Sequence, residues 1–125
     1  MVAGIEHLAI AARDTAKLKD WYSRVFGFKQ VYDNGRGAYF LKAQDGAMIE
    51  FIPTNEDIGL FQERASGIRH IAIAVEDFEG MVELLTKEKV EVVTSAAIST
   101  GGIKTYFFRD PEGNILHLIY RPQPL

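Results

Sequence analysis

Ile5-Glu6-His7-Leu8-Ala9-Ile10-Ala11-Ala12-Arg13-Asp14 returns 63 residues later as Ile68-Arg69-His70-Ile71-Ala72-Ile73-Ala74-Val75-Glu76-Asp77. Both copies read as strands by their period of two, and both run into an aspartate suited to start a helix. A second pair follows. Asp45-Gly46-Ala47-Met48-Ile49-Glu50-Phe51-Ile52 returns 67 residues later as Glu112-Gly113-Asn114-Ile115-Leu116-His117-Leu118-Ile119. The repeat sets His7 against His70 and Glu50 against His117. Metal-ligating residue types thus hold equivalent positions in both copies, which points to a divalent metal at the seam between two duplicated modules.

The segments around these strands complete the modules. Asp14 or Thr15 caps a helix whose apolar face carries Leu18, Trp21, Tyr22 and Val25, and Gly27 stops it. Strands over 28–32 and 37–42 flank the turn Asp33-Asn34-Gly35, a hairpin signal, and another over 47–52 follows Asp45-Gly46. The order is βαβββ. Residues 54–66 form a linker in which Leu60-Phe61 anchors a short helix. The second unit repeats the order, with a strand over 68–75, a cap at Asp77 and a helix carrying Phe78, Met81, Val82 and Leu85. Its later strands fall near 90–95, 103–108 and 114–120. The expectation is one α+β domain over 1–125, built from module 1–53 and module 67–122. The two βαβββ modules form a cupped mixed sheet, a half-barrel, with helices outside. One such unit buries a single sheet face, so two must combine, within one chain or across a homodimer.

Composition narrows the function classes. A net charge of −3 argues against nucleic acid, which needs a basic footprint. No apolar run approaches a membrane span, and the N-terminus lacks a signal-peptide pattern. The absence of cysteine removes disulfides, thiolate nucleophiles and sulfur ligands together, fits a reducing cytoplasm, and leaves nitrogen and oxygen to hold any metal.

Alternation decides where the histidines point. Ile5, Ala9 and Ala11 share the face of His7, whereas Leu8 and Ile10 lie opposite. Ile68, Ala72 and Ala74 share the face of His70, whereas Ile71, Ile73 and Val75 lie opposite. Faces paved with alanine leave room above them, as a cavity floor does. Glu50 and His117 are polar groups inside apolar strands, where burial without a partner costs roughly 1–3 kcal/mol. A cation bridging His7, Glu50, His70 and His117 removes that penalty. Trp21, Tyr22 and Phe26 read as core. Arg36, Lys104 and Arg109 read as solvated charges or turn partners, with Lys104 beside the loop Ser99–Gly102 placed to meet an anionic substrate.

The duplicated unit, the strand openings at Glu6-His7-Leu8-Ala9-Ile10 and Arg69-His70-Ile71-Ala72-Ile73, and the ending Phe108-Arg109-Asp110-Pro111-Glu112-Gly113-Asn114-Ile115-Leu116-His117 resemble the vicinal oxygen chelate superfamily. That group includes glyoxalase I, fosfomycin-resistance thiol transferases, methylmalonyl-CoA epimerase, extradiol dioxygenases and bleomycin-binding proteins. The resemblance spans essentially the whole chain. It implies metal ligands at His7, Glu50, His70 and His117, and chelation of a substrate's neighbouring oxygens so that an enediolate is stabilised.

Two departures refine that expectation. The last ligand position, usually glutamate in glyoxalase I, is His117 here, which leaves Glu50, His117 or a metal-bound water as the base. Ala11 stands where glyoxalase I commonly carries the arginine that holds glutathione, which points away from glutathione dependence. The expected function is a lyase or isomerase acting on a small substrate with adjacent oxygens, with Glu50 the favoured base and Zn, Ni, Co, Mn or Fe the cofactor. The alternatives are an extradiol dioxygenase, since histidines with a carboxylate suit Fe(II), and a drug- or metabolite-binding protein of resistance type.

Overall fold

Strand β1 (His7–Ala12) buries Ile10 and Ala12 and leaves His7, Ala9 and Ala11 exposed, the division its alternation predicts. A computed structural model describes residues 1–56 and 66–125 of the chain. The Leu60-Phe61 helix expected in the linker lies outside the described residues. Helix α1 (Thr15–Phe26) starts where the Asp14 carboxylate accepts from the Lys17 amide. It ends at Gly27, whose φ of 72° is the left-handed cap that glycine adopts without a Cβ penalty. Strands β2 (Lys29–Asp33), β3 (Tyr39–Lys42) and β4 (Met48–Pro53) follow.

The four strands of this first unit form one mixed sheet in the order β1-β4-β3-β2. β1 runs parallel to β4, and the remaining neighbours are antiparallel. Leu18, Tyr22 and Val25 of α1 are buried with Leu41, Ile49 and Phe51 of the sheet, and the Tyr22 and Phe51 rings lie 5.1 Å apart. Each such buried side chain contributes roughly 1.5–3 kcal/mol. Trp21 joins this core, while Phe26 is half-buried.

The second unit repeats the plan with β5 (Ile71–Ala74), α2 (Phe78–Lys87), β6 (Glu91–Ile98), β7 (Lys104–Arg109) and β8 (Ile115–Tyr120). Its sheet order is β5-β8-β7-β6, with β5 parallel to β8. The Asp77 carboxylate caps α2 by accepting from the Gly80 amide. Phe78, Leu85, Phe108, Leu116 and Leu118 are buried. The fold is thus α+β, built from tandem βαβββ modules, and the chain divides into the compact units Met1–Asp57 and Ile58–Leu125.

Element edges differ from the sequence reading where pairing is local. β5 spans four residues instead of the expected eight, because it is an edge strand held to β8 alone over Ile71–Ala74. His70 therefore stands just before its strand, while His7 opens β1. β6 runs three residues further than expected, to Ile98, because its antiparallel ladder with β7 continues to the Ile98–Lys104 pair.

Candidate functional site

Register decides what each histidine meets. In the first unit Ala9 of β1 and Phe40 of β3 flank Glu50 of β4 on one sheet face. His7, two residues before Ala9, shares that face, and its Nε2 lies 3.7 Å from Glu50 Oε1. Phe40 stands edge-on to the imidazole, with ring centroids 5.1 Å apart. The second unit reproduces this with Ala72 and Phe107 flanking His117. His70 Nε2 lies 3.5 Å from His117 Nδ1, and Phe107 stacks on the His117 ring at 4.1 Å.

A turn built for the purpose aims each acceptor strand. Before β8, Asp110 is buried and its Oδ1 accepts from the amides of Glu112 and Asn114, while Oδ2 accepts from the Asn114 side chain. Gly113 takes a φ of 94°, a conformation costly for any other residue. Arg109 Nη1 donates to the Gly113 carbonyl, so this cation is a turn partner. Before β4 the Ala43 amide donates to the Ala47 carbonyl as the Asp110 amide does to the Asn114 carbonyl before β8, and Gly46 has a φ of 94°. The Lys104 ammonium, which the sequence placed beside a site, pairs with Glu79 of α2 and lies over the Tyr120 ring. Lys104 pairs with Tyr120 in the ladder, three residues beyond His117 and therefore on the opposite face, the helix side of the sheet.

The electrostatics of the second half hold His117 neutral. Burial pushes its pKa down to about 4, and the neighbouring His70, Arg69 and Arg121 charges act in the same direction. His70 is also lowered, by burial first and Arg69 second. A neutral imidazole needs no proton expelled before it can ligate. His117 Nε2 is buried and has no hydrogen-bond partner among the described residues.

The spacing within each half is compatible with a divalent ion. Two atoms about 2.1 Å from one tetrahedral ion stand about 3.4 Å apart. The pair in each half, at 3.7 Å and 3.5 Å, is near that spacing. The orphaned atom is His117 Nε2, on the other side of the ring from the Nδ1 that faces His70. Among the described residues no group of three or more His, Asp or Glu side chains is assembled around a common point. Each unit brings two of these four side chains together.

Phe40 and Phe107 were not singled out in the sequence. The signal was present: Tyr39-Phe40-Leu41-Lys42 returns 67 residues later as Tyr106-Phe107-Phe108-Arg109, the same offset that relates Glu50 to His117.

The profile of the glyoxalase/bleomycin resistance protein/dioxygenase superfamily matches residues 4–118. The chain belongs to that superfamily. Its relatives include the Escherichia coli (strain K12) protein YaeR, 30% identical over an alignment of 121 positions that covers 91% of this chain and 93% of YaeR. Among solved structures, a glyoxalase/dioxygenase from Nostoc punctiforme has a TM-score of 0.81 at 14% identity, covering 97% of this chain and 92% of that one. Lactoylglutathione lyase from Agrobacterium tumefaciens has a TM-score of 0.71 at 19% identity, covering 95% and 94%. At such identities the two structures speak to the fold alone.

Proposed function

We propose that this glyoxalase-superfamily chain is a divalent-metal-dependent lyase or isomerase acting on a small substrate with adjacent oxygens. His7 and Glu50 of the first module and His70 and His117 of the second are the proposed metal ligands. The observation that carries the reading is the matched pair of donors in each half, each beside an alanine and an aromatic ring on one sheet face. When bound, the ion supplies Lewis-acid stabilisation of an oxyanion.

The chain's own residues supply the rest. Glu50 is only partly covered and is the sole carboxylate of the four, so it takes the proton from the carbon next to a carbonyl. His117, neutral at pH 7 and buried, is a poor proton carrier and serves as a ligand. Phe40 and Phe107 offer flat apolar walls against which a planar carbonyl compound can lie. Ala9, Ala11, Ala72 and Ala74 are exposed and leave space above the sheets. Ala11 supplies no cation for a glutathione carboxylate, which favours substrates smaller than a glutathione adduct.

A homodimer is part of the proposal. All of β2, at the outer edge of its sheet, is exposed, including Val31 and Tyr32, and an uncovered edge invites pairing. No helix among the described residues is long and apolar enough to cross a membrane. A reducing cytoplasm as the compartment rests on the absence of cysteine.

The test has two parts. Elemental analysis of protein purified without chelator should give about one Zn, Ni, Co, Mn or Fe per pair of modules; trace metal only, even after reconstitution, removes the proposal. Metal-loaded protein in D₂O should then exchange the α-proton of small 2-hydroxycarbonyl compounds, followed by NMR, and Glu50→Gln should not. Tight ligand binding with no exchange would favour the resistance-type binder. Ring opening of a catechol in air by the Fe(II) form would favour the dioxygenase.

A further inference from the structure

The residue before each histidine reaches back to that histidine's Nδ1, and the two residues carry opposite charge. Glu6 Oε1 lies 2.8 Å from His7 Nδ1, and Arg69 Nη1 lies 3.0 Å from His70 Nδ1. Glu6 and Arg69 are equivalents in the 63-residue repeat. The duplication has kept the contact and reversed its polarity.

Chemistry forces the consequence. An ionised carboxylate only accepts, so His7 Nδ1 donates, and in the neutral ring Nε2 then carries the lone pair. That lone pair faces Glu50 and is ready for a metal. A guanidinium only donates, so His70 Nδ1 accepts and the ring's single proton sits on Nε2. His70 Nε2–H then points at His117 Nδ1, 3.5 Å away, which must accept. The His117 proton is left on Nε2, the buried atom without a partner. Arg69 thus sets the tautomers of both histidines in its module.

We propose that Glu6 and Arg69 are opposed positioning residues for the metal ligands, Glu6 making His7 a strong donor and Arg69 holding His70 in its non-ligating tautomer until the guanidinium withdraws. The inference rests on the metal reading above. A carboxylate on the distal nitrogen raises a ligating histidine's basicity, and such outer partners are worth 10–100-fold in metal affinity. Arg69 acts with the reverse sign, because His70 Nε2 must shed its proton or its partner before it can bind. Arg69 already lies 5.2 Å from the Phe107 ring centre, a cation–π perch on which it can rest when it releases the imidazole.

The experiment measures Zn²⁺ affinity by competition with a chromophoric chelator at pH 7, together with histidine ¹⁵N shifts of the metal-free chain. In the metal-free wild type, His7 should be protonated at Nδ1 and His70 at Nε2. Glu6→Ala should weaken Zn²⁺ binding roughly 10–100-fold, and Glu6→Gln, which keeps an acceptor without the charge, should restore part of the loss. Arg69→Met should tighten binding by a comparable factor and release the His70 tautomer. Arg121→Met removes the same charge near His117 and serves as the control for long-range electrostatics; its effect should be several-fold smaller. Opposite-sign effects with the predicted tautomers support the proposal. Equal tightening by Arg69→Met and Arg121→Met, weakening by Arg69→Met, or the Nδ1 tautomer at His70 would overturn it. Wild-type protein that holds no Zn²⁺ would instead strike the metal reading itself, whatever the tautomers.

Discussion

Acidifying the metal-free protein should expose the energetic cost of burying His117. Its pKa of about 4 in the folded chain lies below the roughly 6.5 of an exposed histidine. Above pH 6.5 the ring is neutral in both folded and unfolded chains and costs nothing. Below it the unfolded chain takes up a proton that the folded chain refuses, so stability falls as pH drops and levels off below about 4. Linkage over that window gives about 2 kcal/mol lost between pH 7 and 5, and about 3 kcal/mol in total. His70, shifted in the same direction, adds to the slope. The assay is urea denaturation of chelator-stripped protein at pH 7, 6 and 5, followed by the fluorescence of Trp21, the single and buried tryptophan. Wild type should lose stability more steeply than His117→Gln, by about 2 kcal/mol over that range. Parallel pH dependences in the two proteins would refute the reasoning, because no other difference between them titrates there.

Glu50→Gln should keep much of the metal and lose roughly 10²–10⁴-fold in turnover, whereas His117→Gln should lose mainly metal affinity, read by elemental analysis beside rate measurements. An active Glu50→Gln with a metal-loaded, inactive His117→Gln would move the proton transfer to His117. Gly113→Ala should cost about 1–3 kcal/mol in urea denaturation, since a φ of 94° strains any side chain in the turn that feeds β8. Lys89→Gly should stabilise the protein by about 1 kcal/mol, because Lys89 ends α2 with a φ of 58° where Gly27 serves α1. Sedimentation at micromolar concentration should show a dimer, and a monomer there would exclude the exposed β2 edge as a pairing surface.

The sequence by itself determined the duplication, the βαβββ order and the face on which each histidine stands, because those follow from local periodicity, caps and turns. Leu8 and Ile10 against Ala9 and Ala11 already divided helix side from open side, and Asp110 to Asn114 already spelled a turn. Glu50 and His117 stood out as polar groups in apolar strands. Tertiary structure decided what those residues touch. The parallel pairing of β1 with β4 and β5 with β8 is a long-range register, and it alone sets Ala9 opposite Glu50 and Ala72 opposite His117. It also brought Phe40 and Phe107, which the sequence reading had not singled out, against the imidazoles. Lys104 shows the same dependence: it lies two residues past the Gly101-Gly102 pair, but its partner is a glutamate on α2. The opposed contacts of Glu6 and Arg69 depend on where two long side chains fold back, a matter of rotamers and space that no periodicity encodes.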